Sequence, residues 1–253
     1  MTAATPGRAA PMGDAQPSIS RARSRRDLLL AAASAALAAC NGRGPRWAQG
    51  VLELAESKNE SVERLLLSHV NMDFAARTAR DAGRAFPMYF ISDQVPVWDP
   101  AVRGRWELEV GGAVRRPTRL TLGALRGLRS VTQRVNHYCV EGWTAVASWT
   151  GVRVSDVARV VQPLPEAQYV DFVSFDAGYH ESWDLESAYH PQTIVAYGMD
   201  GALLSPGHGA PARLHSPVKL GYKCTKFLTR ITFLPARNGG YWSDQGYEWY
   251  AGT

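Results

Sequence analysis

From Arg105 onward the apolar residues of this 253-residue chain begin to recur at every second position. Trp106, Leu108 and Val110 alternate with polar neighbours, the Gly111-Gly112 pair turns the chain, and Arg116-Pro117 ends the unit. A period of two is the spacing of residues along one face of a β-strand. The same reading predicts strands over 131–138, 169–175, 193–197 and 226–234, with Met199-Asp200-Gly201 as a tight turn before 202–204. Helical signals are few. Thr121 caps a short helix through Leu128, and Val154, Val157, Val160 and Val161 form a helical face that Pro163 stops. Ser57 with Glu60 fits a capping box, and Val62, Leu65, Leu66, Val70 and Phe74 then predict a helix to about Arg80, ending near Gly83, with its Met and aromatic positions in the core rather than at a site. Residues 41–56 read as a tether. Strands and helices do not alternate regularly. The fold class expected is therefore α+β, mostly antiparallel strands with few short helices, rather than a doubly wound parallel sheet.

Composition narrows the function classes. Hydrophobic residues are 45% and charged residues 20%, enough for a packed core. The aromatic residues begin only at Trp47. Three of the five net positive charges fall within residues 1–39, so the remainder is too weakly basic to indicate nucleic acid, and no Lys/Arg stripe interleaved with aromatics is present. No G-x-G-x-x-G or Walker A sequence supports a nucleotide site.

The first forty residues read as an address. The apolar run 28–39 is 12 residues long, short of the roughly 20 that span a bilayer. Arg25 and Arg26 directly before it resemble a twin-arginine export signal, a route that carries folded proteins. Leu37-Ala38-Ala39-Cys40 resembles a lipoprotein box, which would make Cys40 a lipid anchor at the start of the mature chain; the competing reading is cleavage after 36–38 with Cys40 incidental. A periplasmic or cell-envelope location is expected.

Two other cysteines remain, Cys139 and Cys224. In an oxidising compartment they could form one disulfide. The absence of C-x-x-C gives no sign of structural zinc or a thioredoxin-like pair. Cys139 follows a predicted strand and precedes a Gly-containing turn, and His137, two residues earlier, shares its strand face. Three readings stay open for Cys139: an inert buried thiol, a Cys–His nucleophile, or a soft ligand for a metal.

A resemblance narrows them. The segments 106–112, Arg116-Pro117, 120–122, Cys139-Val140-Glu141-Gly142-Trp143, His190-Pro191-Gln192-Thr193, Gly209-Ala210-Pro211-Ala212-Arg213 and 219–226 occur in the order seen in the sulfite oxidase superfamily of molybdopterin enzymes. The resemblance covers about 85–253, after a signal at 1–39 and a tether with helix at 40–84. The Cys-Val-Glu-x-Trp version resembles the periplasmic protein methionine sulfoxide reductase branch. It implies a sulfite-oxidase-type fold and a Mo-molybdopterin cofactor, with Cys139 as the catalytic metal ligand. It also implies cofactor binding by Ser174, His208, Arg213 and the turn Cys224-Thr225-Lys226, whose lysine and backbone N–H groups would face the pterin phosphate. His208 and Ser174 stand where the branch carries asparagine and threonine. The early contact segment, here 89–94, departs from the family pattern, and the Asn and Arg residues that build a sulfite pocket are missing after Cys139. The implied activity is oxygen-atom transfer on a small or protein-bound sulfoxide-type substrate. Electrons would come from a separate partner such as a membrane haem protein, because neither a haem domain nor a dimerisation domain is expected; a monomer is expected. The alternatives are sulfite oxidation and a cofactor-free binding lipoprotein on the same fold.

The address makes a prediction. Replacing both Arg25 and Arg26 by Lys should leave the chain in the cytoplasm with its first forty residues attached, read by cell fractionation and intact mass. Export of the variant at the parental level would remove the twin-arginine reading.

Overall fold

The computed structural model describes residues 48–67, 86–176 and 178–253. The twin arginines, the apolar run, Cys40, and the predicted helical positions Val70, Phe74, Arg80 and Gly83 lie outside the described residues. The chain divides into residues 1–49 and residues 50–253. Ala48 and Gln49 are the described part of the first unit. The second unit carries all the strands.

Those strands form two five-stranded sheets. The first runs β2 (Thr118–Thr121), β1 (Glu107–Gly112), β10 (Leu228–Leu234), β5 (Tyr169–Ser174), β6 (His180–Asp184). The second runs β3 (Ser130–Tyr138), β4 (Thr144–Arg153), β7 (Ile194–Met199), β8 (Ala202–Leu203), with β9 (Arg213–His215) also pairing β7. Every ladder is antiparallel except β1 with β10. The α+β, mostly antiparallel expectation holds.

The period-two pattern is what sorts the core. Leu108, Val110, Ile231, Phe233, Val170 and Phe172 line one face of the first sheet and meet Val152, Val195 and Tyr197 from the second, with Val154, Val157 and Val161 of the helix Val154–Val161. The opposite face of the second sheet carries Val135, Ala145, Ala147, Trp149, Ile194 and Ala196, packed with Phe86 and Leu204. Neighbours along β7 thus enter different cores, as alternation along a strand requires. Because opposed residues in an antiparallel ladder share a face, His137 opposite Ala145, Arg213 opposite Ala196, and His215 opposite Ile194 all stand on that second face.

Local signals explain most boundaries. Thr121 Oγ1 accepts from Ala124 N at 3.1 Å and starts the helix Leu122–Gly127. Asp200 and Gly201 both have positive φ (49° and 84°), the two-residue turn that joins β7 to β8. The strand expected from Lys226 begins instead at Leu228. Phe227 has φ 55°, in the left-handed region, and this kink frees Lys226 from the ladder. The strands β4, β6 and β9 carry no predicted element.

The N-terminal helix is a larger correction. It runs Gln49–Leu67, so much of the expected tether is helical and Ser57 lies inside the helix rather than at its cap. Ser61 Oγ donates back to Ser57 O at 2.8 Å, a bond available only within a helix. Its apolar residues Val62, Leu65 and Leu66 are exposed, and the Met and aromatic positions expected in the core, Met72 and Phe74, lie outside the described residues.

Two fully buried ammonium groups fasten the segment between β9 and β10. Lys223 Nζ donates to Glu181 Oε2 at 2.6 Å and Ser182 O at 3.1 Å. Lys219 Nζ donates to Tyr250 O at 2.7 Å and lies 3.4 Å from Asp184 Oδ2. Burial pushes both lysines down, Lys219 to about 7, and their carboxylates oppose that. Removing one partner of such a pair strands the other charge in the core. Lys223→Ala should therefore cost about 3–5 kcal/mol in a urea melt. The double change Lys223→Met with Glu181→Leu should recover most of that loss; an equal loss in both variants would contradict this role for the pair.

Candidate functional site

The second face of the β3–β4–β7–β9 sheet opens on a cavity of about 250 Å³. His137 lines it, and register sets Trp149 and His215 beside His137 on the same sheet face. Trp149 and His215 stack with ring centroids 4.2 Å apart, and His137 stacks on His215 at 5.4 Å. The Arg213 guanidinium lies over the Trp149 ring at 4.9 Å. Both imidazoles are buried. His137 is held down to about 3 by burial and then by the Arg213 and Lys226 charges, and His215 well below the ordinary value by burial, His137 and Arg213. They are neutral at physiological pH. His137 Nδ1 and both ring nitrogens of His215 have no hydrogen-bond partner among the described residues.

The positive charge of the cavity is therefore Arg213 and Lys226. Arg213 is 1% exposed, yet its hydrogen bonds go only to carbonyls: Nε to Leu214 O at 3.3 Å, Nη1 to His208 O at 3.2 Å and Nη2 to Cys224 O at 3.4 Å. Burial pulls it to about 10. Lys226, half-buried, donates to Tyr89 O at 2.7 Å and Gly207 O at 3.0 Å, and burial with the neighbouring Arg213 charge pulls it to about 7, against the favourable pull of Asp176. Among the described residues neither cation forms an ion pair. Gly209 lets the two approach. It has φ 99°, and a Cβ there would meet Lys226 Cβ at 3.0 Å and Arg213 Cβ at 3.2 Å.

Cys139 enters from the β3–β4 hairpin. β3 ends at Tyr138, and the loop closes through Cys139 N to Trp143 O and Gly142 N to Cys139 O, both 3.0 Å, with Gly142 at φ 85°. The thiol is partly buried and is pushed up chiefly by burial. Glu141 Oε2 lies 3.9 Å from Cys139 Sγ and accepts from Trp143 Nε1 at 3.0 Å. Cys224, the other lining thiol, is buried, and both cysteines are free, so the disulfide reading fails.

Of the residues singled out from sequence, Cys139, Ser174, Arg213, Cys224 and Lys226 line this cavity together. His208 and Thr225 do not. His208 stands behind the wall, its ring nitrogens 2.8 Å from Ser205 Oγ and 3.1 Å from Phe86 O, while its carbonyl receives Arg213. Thr225 Oγ1 donates inward to Phe172 O at 3.4 Å. The backbone N–H groups of Cys224 and Thr225, expected to face a phosphate, bond to Gly221 O and Lys223 O within their own turn. That turn offers Lys226 Nζ instead. Ser174 Oγ accepts from Asp176 N at 2.9 Å, and Asp176 in turn holds Ile91 N, Ser92 N and the Ser92 hydroxyl. This bond set brings Tyr89, Phe90 and Ile91 to the cavity although their motif departs from the family pattern. Sequence reasoning missed the lining residues Asp176, Tyr179, Trp242 and Tyr247. They reach the cavity by chain reversals and stacking, and no local motif marks them.

Two cations that form no ion pair among the described residues, the orphaned Nδ1 of His137 and a thiol in one cavity fit an anionic, metal-linked cofactor. The fold and this site define a redox-cofactor domain of the molybdopterin type. Residues 93–242 match the family described as oxidoreductase molybdopterin binding domain, and the chain belongs to that family. It is 39% identical over 172 residues to a chain of Azospira oryzae named as protein-methionine-sulfoxide reductase subunit YedZ1, covering 67% of this chain and 64% of that one. It is 33% identical over 154 residues to the protein-methionine-sulfoxide reductase catalytic subunit MsrP of Xanthomonas axonopodis, covering 55% and 48%. The chain thus spans about half to two thirds of the length of these relatives. The crystal structure of the sulfane dehydrogenase SoxCD from Paracoccus pantotrophus shares the fold, with TM-score 0.50 and 20% identity over 52% of this chain and 39% of that one.

The depressed Lys226 predicts a pH dependence. Below about 7 it is cationic; above, it is neutral, and a bound anion must draw a proton onto it. Inorganic pyrophosphate should bind the cofactor-free protein more weakly at about pH 8 than at about pH 6, with proton uptake at the higher pH. Calorimetry in two buffers of different ionisation enthalpy measures that uptake. Lys226→Ala should abolish the uptake; uptake that persists in the variant would assign the proton elsewhere.

Proposed function

We propose that this protein is an exported molybdopterin oxidoreductase that reduces a sulfoxide, free or within a polypeptide. The observation that carries the reading is one cavity shared by the Cys139 thiol and the unpaired cations Arg213 and Lys226. Cys139, as thiolate, is the residue proposed to ligate molybdenum. A soft thiolate suits a high-valent metal and tunes its potential. Arg213 and Lys226 would neutralise the pterin phosphate, with Ser174, Cys224 and the neutral His137 available to its polar edges. The molybdenum group supplies two-electron oxygen-atom transfer when bound. His208 and Thr225 act behind these, His208 through the carbonyl that orients Arg213.

Two observations favour a sulfoxide over sulfite. The relatives it matches are named for methionine sulfoxide. The mouth is made of Tyr89, Val140, Trp143, Trp242 and Tyr247, with Glu141 beside Cys139 as its carboxylate. Aromatic faces suit a thioether-like group, whereas a carboxylate there disfavours a small dianion. Overall, a sulfoxide, two electrons and two protons give a sulfide and water. The residues described hold and orient the cofactor and substrate. The electrons come from a separate partner. Export by the twin-arginine route, a lipid anchor at Cys40 and a monomeric state complete the reading.

Cofactor-loaded protein from an export-competent host should oxidise a reduced artificial donor with methionine sulfoxide and not reduce an artificial acceptor with sulfite. Cys139→Ser should fall to the background rate while its thermal midpoint stays near parental. Sulfite turnover without sulfoxide turnover would overturn the substrate, and full activity in Cys139→Ser would overturn the ligand.

A further inference from the structure

The helix Gln49–Leu67 is mounted inside out. Its charged side grips the domain: Glu60 Oε2 receives Arg237 Nη2 at 2.6 Å, Glu60 Oε1 receives Arg64 Nη2 at 2.5 Å, Glu63 Oε2 receives Gly252 N at 3.3 Å, and Arg64 lies over the Tyr250 ring at 5.6 Å. Asn59 Nδ2 reaches Glu248 Oε1 at 3.3 Å. At 3.6 residues per turn, Val51, Leu54, Ala55, Val62, Leu65 and Leu66 then fall on the opposite side. All are exposed, Leu65 by 79% and Leu54 by 59%. A water-soluble helix would turn this stripe inward. Here the reverse is fixed by the Glu60–Arg237 pair and its neighbours, and no described residue covers the apolar side.

We propose that this stripe docks on a lipid bilayer as an interfacial helix, with the domain behind it. Charge placement fits that occupant. Glu53, Glu56, Glu60 and Glu63 all lie in the half of the helix away from the stripe, so no carboxylate faces lipid phosphate. Lys58, the one charge within the stripe, is a cation whose long stem can reach up to headgroups. Chain length fits as well. Cys40, where an acyl anchor is proposed, precedes Gln49 by nine residues, a reach of at most about 30 Å, so an anchored chain keeps the helix beside the membrane. No helix among the described residues is long and apolar enough to cross a membrane.

The test places a photoreactive benzoylphenylalanine at Val62, at Leu65 or at Glu56 in the full-length Cys40→Ser chain, so that no acyl group contributes. Each protein is irradiated with vesicles of phosphatidylethanolamine and phosphatidylglycerol, and the adduct is identified by mass. Lipid adducts at positions 62 and 65, with only background at 56, are the expected result. Adducts at 62 and 65 to a second copy of the chain, or to another part of the same chain, would overturn the proposal, as would no adduct at all. The readout is independent of cofactor and turnover, so its failure leaves the oxidoreductase reading standing, and the converse holds.

Discussion

A guanidinium sealed from water that pairs with no carboxylate among the described residues is the constraint around which this domain is arranged. Arg213 is carried on a three-residue strand, stacked on Trp149 and met only by carbonyl oxygens. An isolated charge in a protein interior is costly, and hydrogen bonds to carbonyls offset only part of that cost. The rest of the cavity takes shape around it. Gly209 brings Lys226 alongside, the kink at Phe227 detaches that lysine from the sheet, and burial, with the field of the two cations added, keeps His137 neutral. A cavity with two cations and the unbonded Nδ1 of His137 is complementary to an anion it must receive. The terminal phosphate of a pterin cofactor is such an anion.

The cavity wall depends on charges that are paired elsewhere. Lys219 and Lys223 bracket Gly221 and Tyr222, and their ion pairs with Asp184 and Glu181 tie that turn to β6 and to the C-terminal segment. Trp183 Nε1 bonds Lys223 O at 3.1 Å, and Trp249 Nε1 bonds Ser182 Oγ at 2.9 Å, so the same lattice seats Tyr222, Cys224, Trp242 and Tyr247 around the opening. One sequence motif, Lys219 to Lys226, thus holds buried charges of two kinds. The first two lysines are ion-paired and brace the wall; the last forms no ion pair among the described residues and faces the cavity.

Much of the fold is legible because alternation is a local signal. Trp106, Leu108 and Val110, the Thr121 cap and the Asp200-Gly201 turn all identify their elements within a few residues. β6 escapes notice because both its faces are buried: His180–Asp184 reads as mixed polar and aromatic, with Glu181 and Asp184 inside. Of the helix Gln49–Leu67 only the part from Ser57 on is legible in the apolar spacing, and not which way it faces. That depends on Arg237 and Tyr250, some 180 residues away. The candidate site divides likewise. Cys139, Arg213 and Lys226 stand in recognisable motifs. Asp176 and Tyr179 are brought in by loop packing, which a linear pattern does not encode. His208 and Thr225 share the motifs but lie one layer back.

The account turns on Cys139 as the protein's thiolate to molybdenum inside this cationic cavity. Molybdenum K-edge absorption of the cofactor-loaded protein, compared with Cys139→Ser reconstituted to the same metal content, measures it. The account predicts one sulfur neighbour fewer around the metal in the variant, replaced by a lighter scatterer. An unchanged sulfur shell would contradict it.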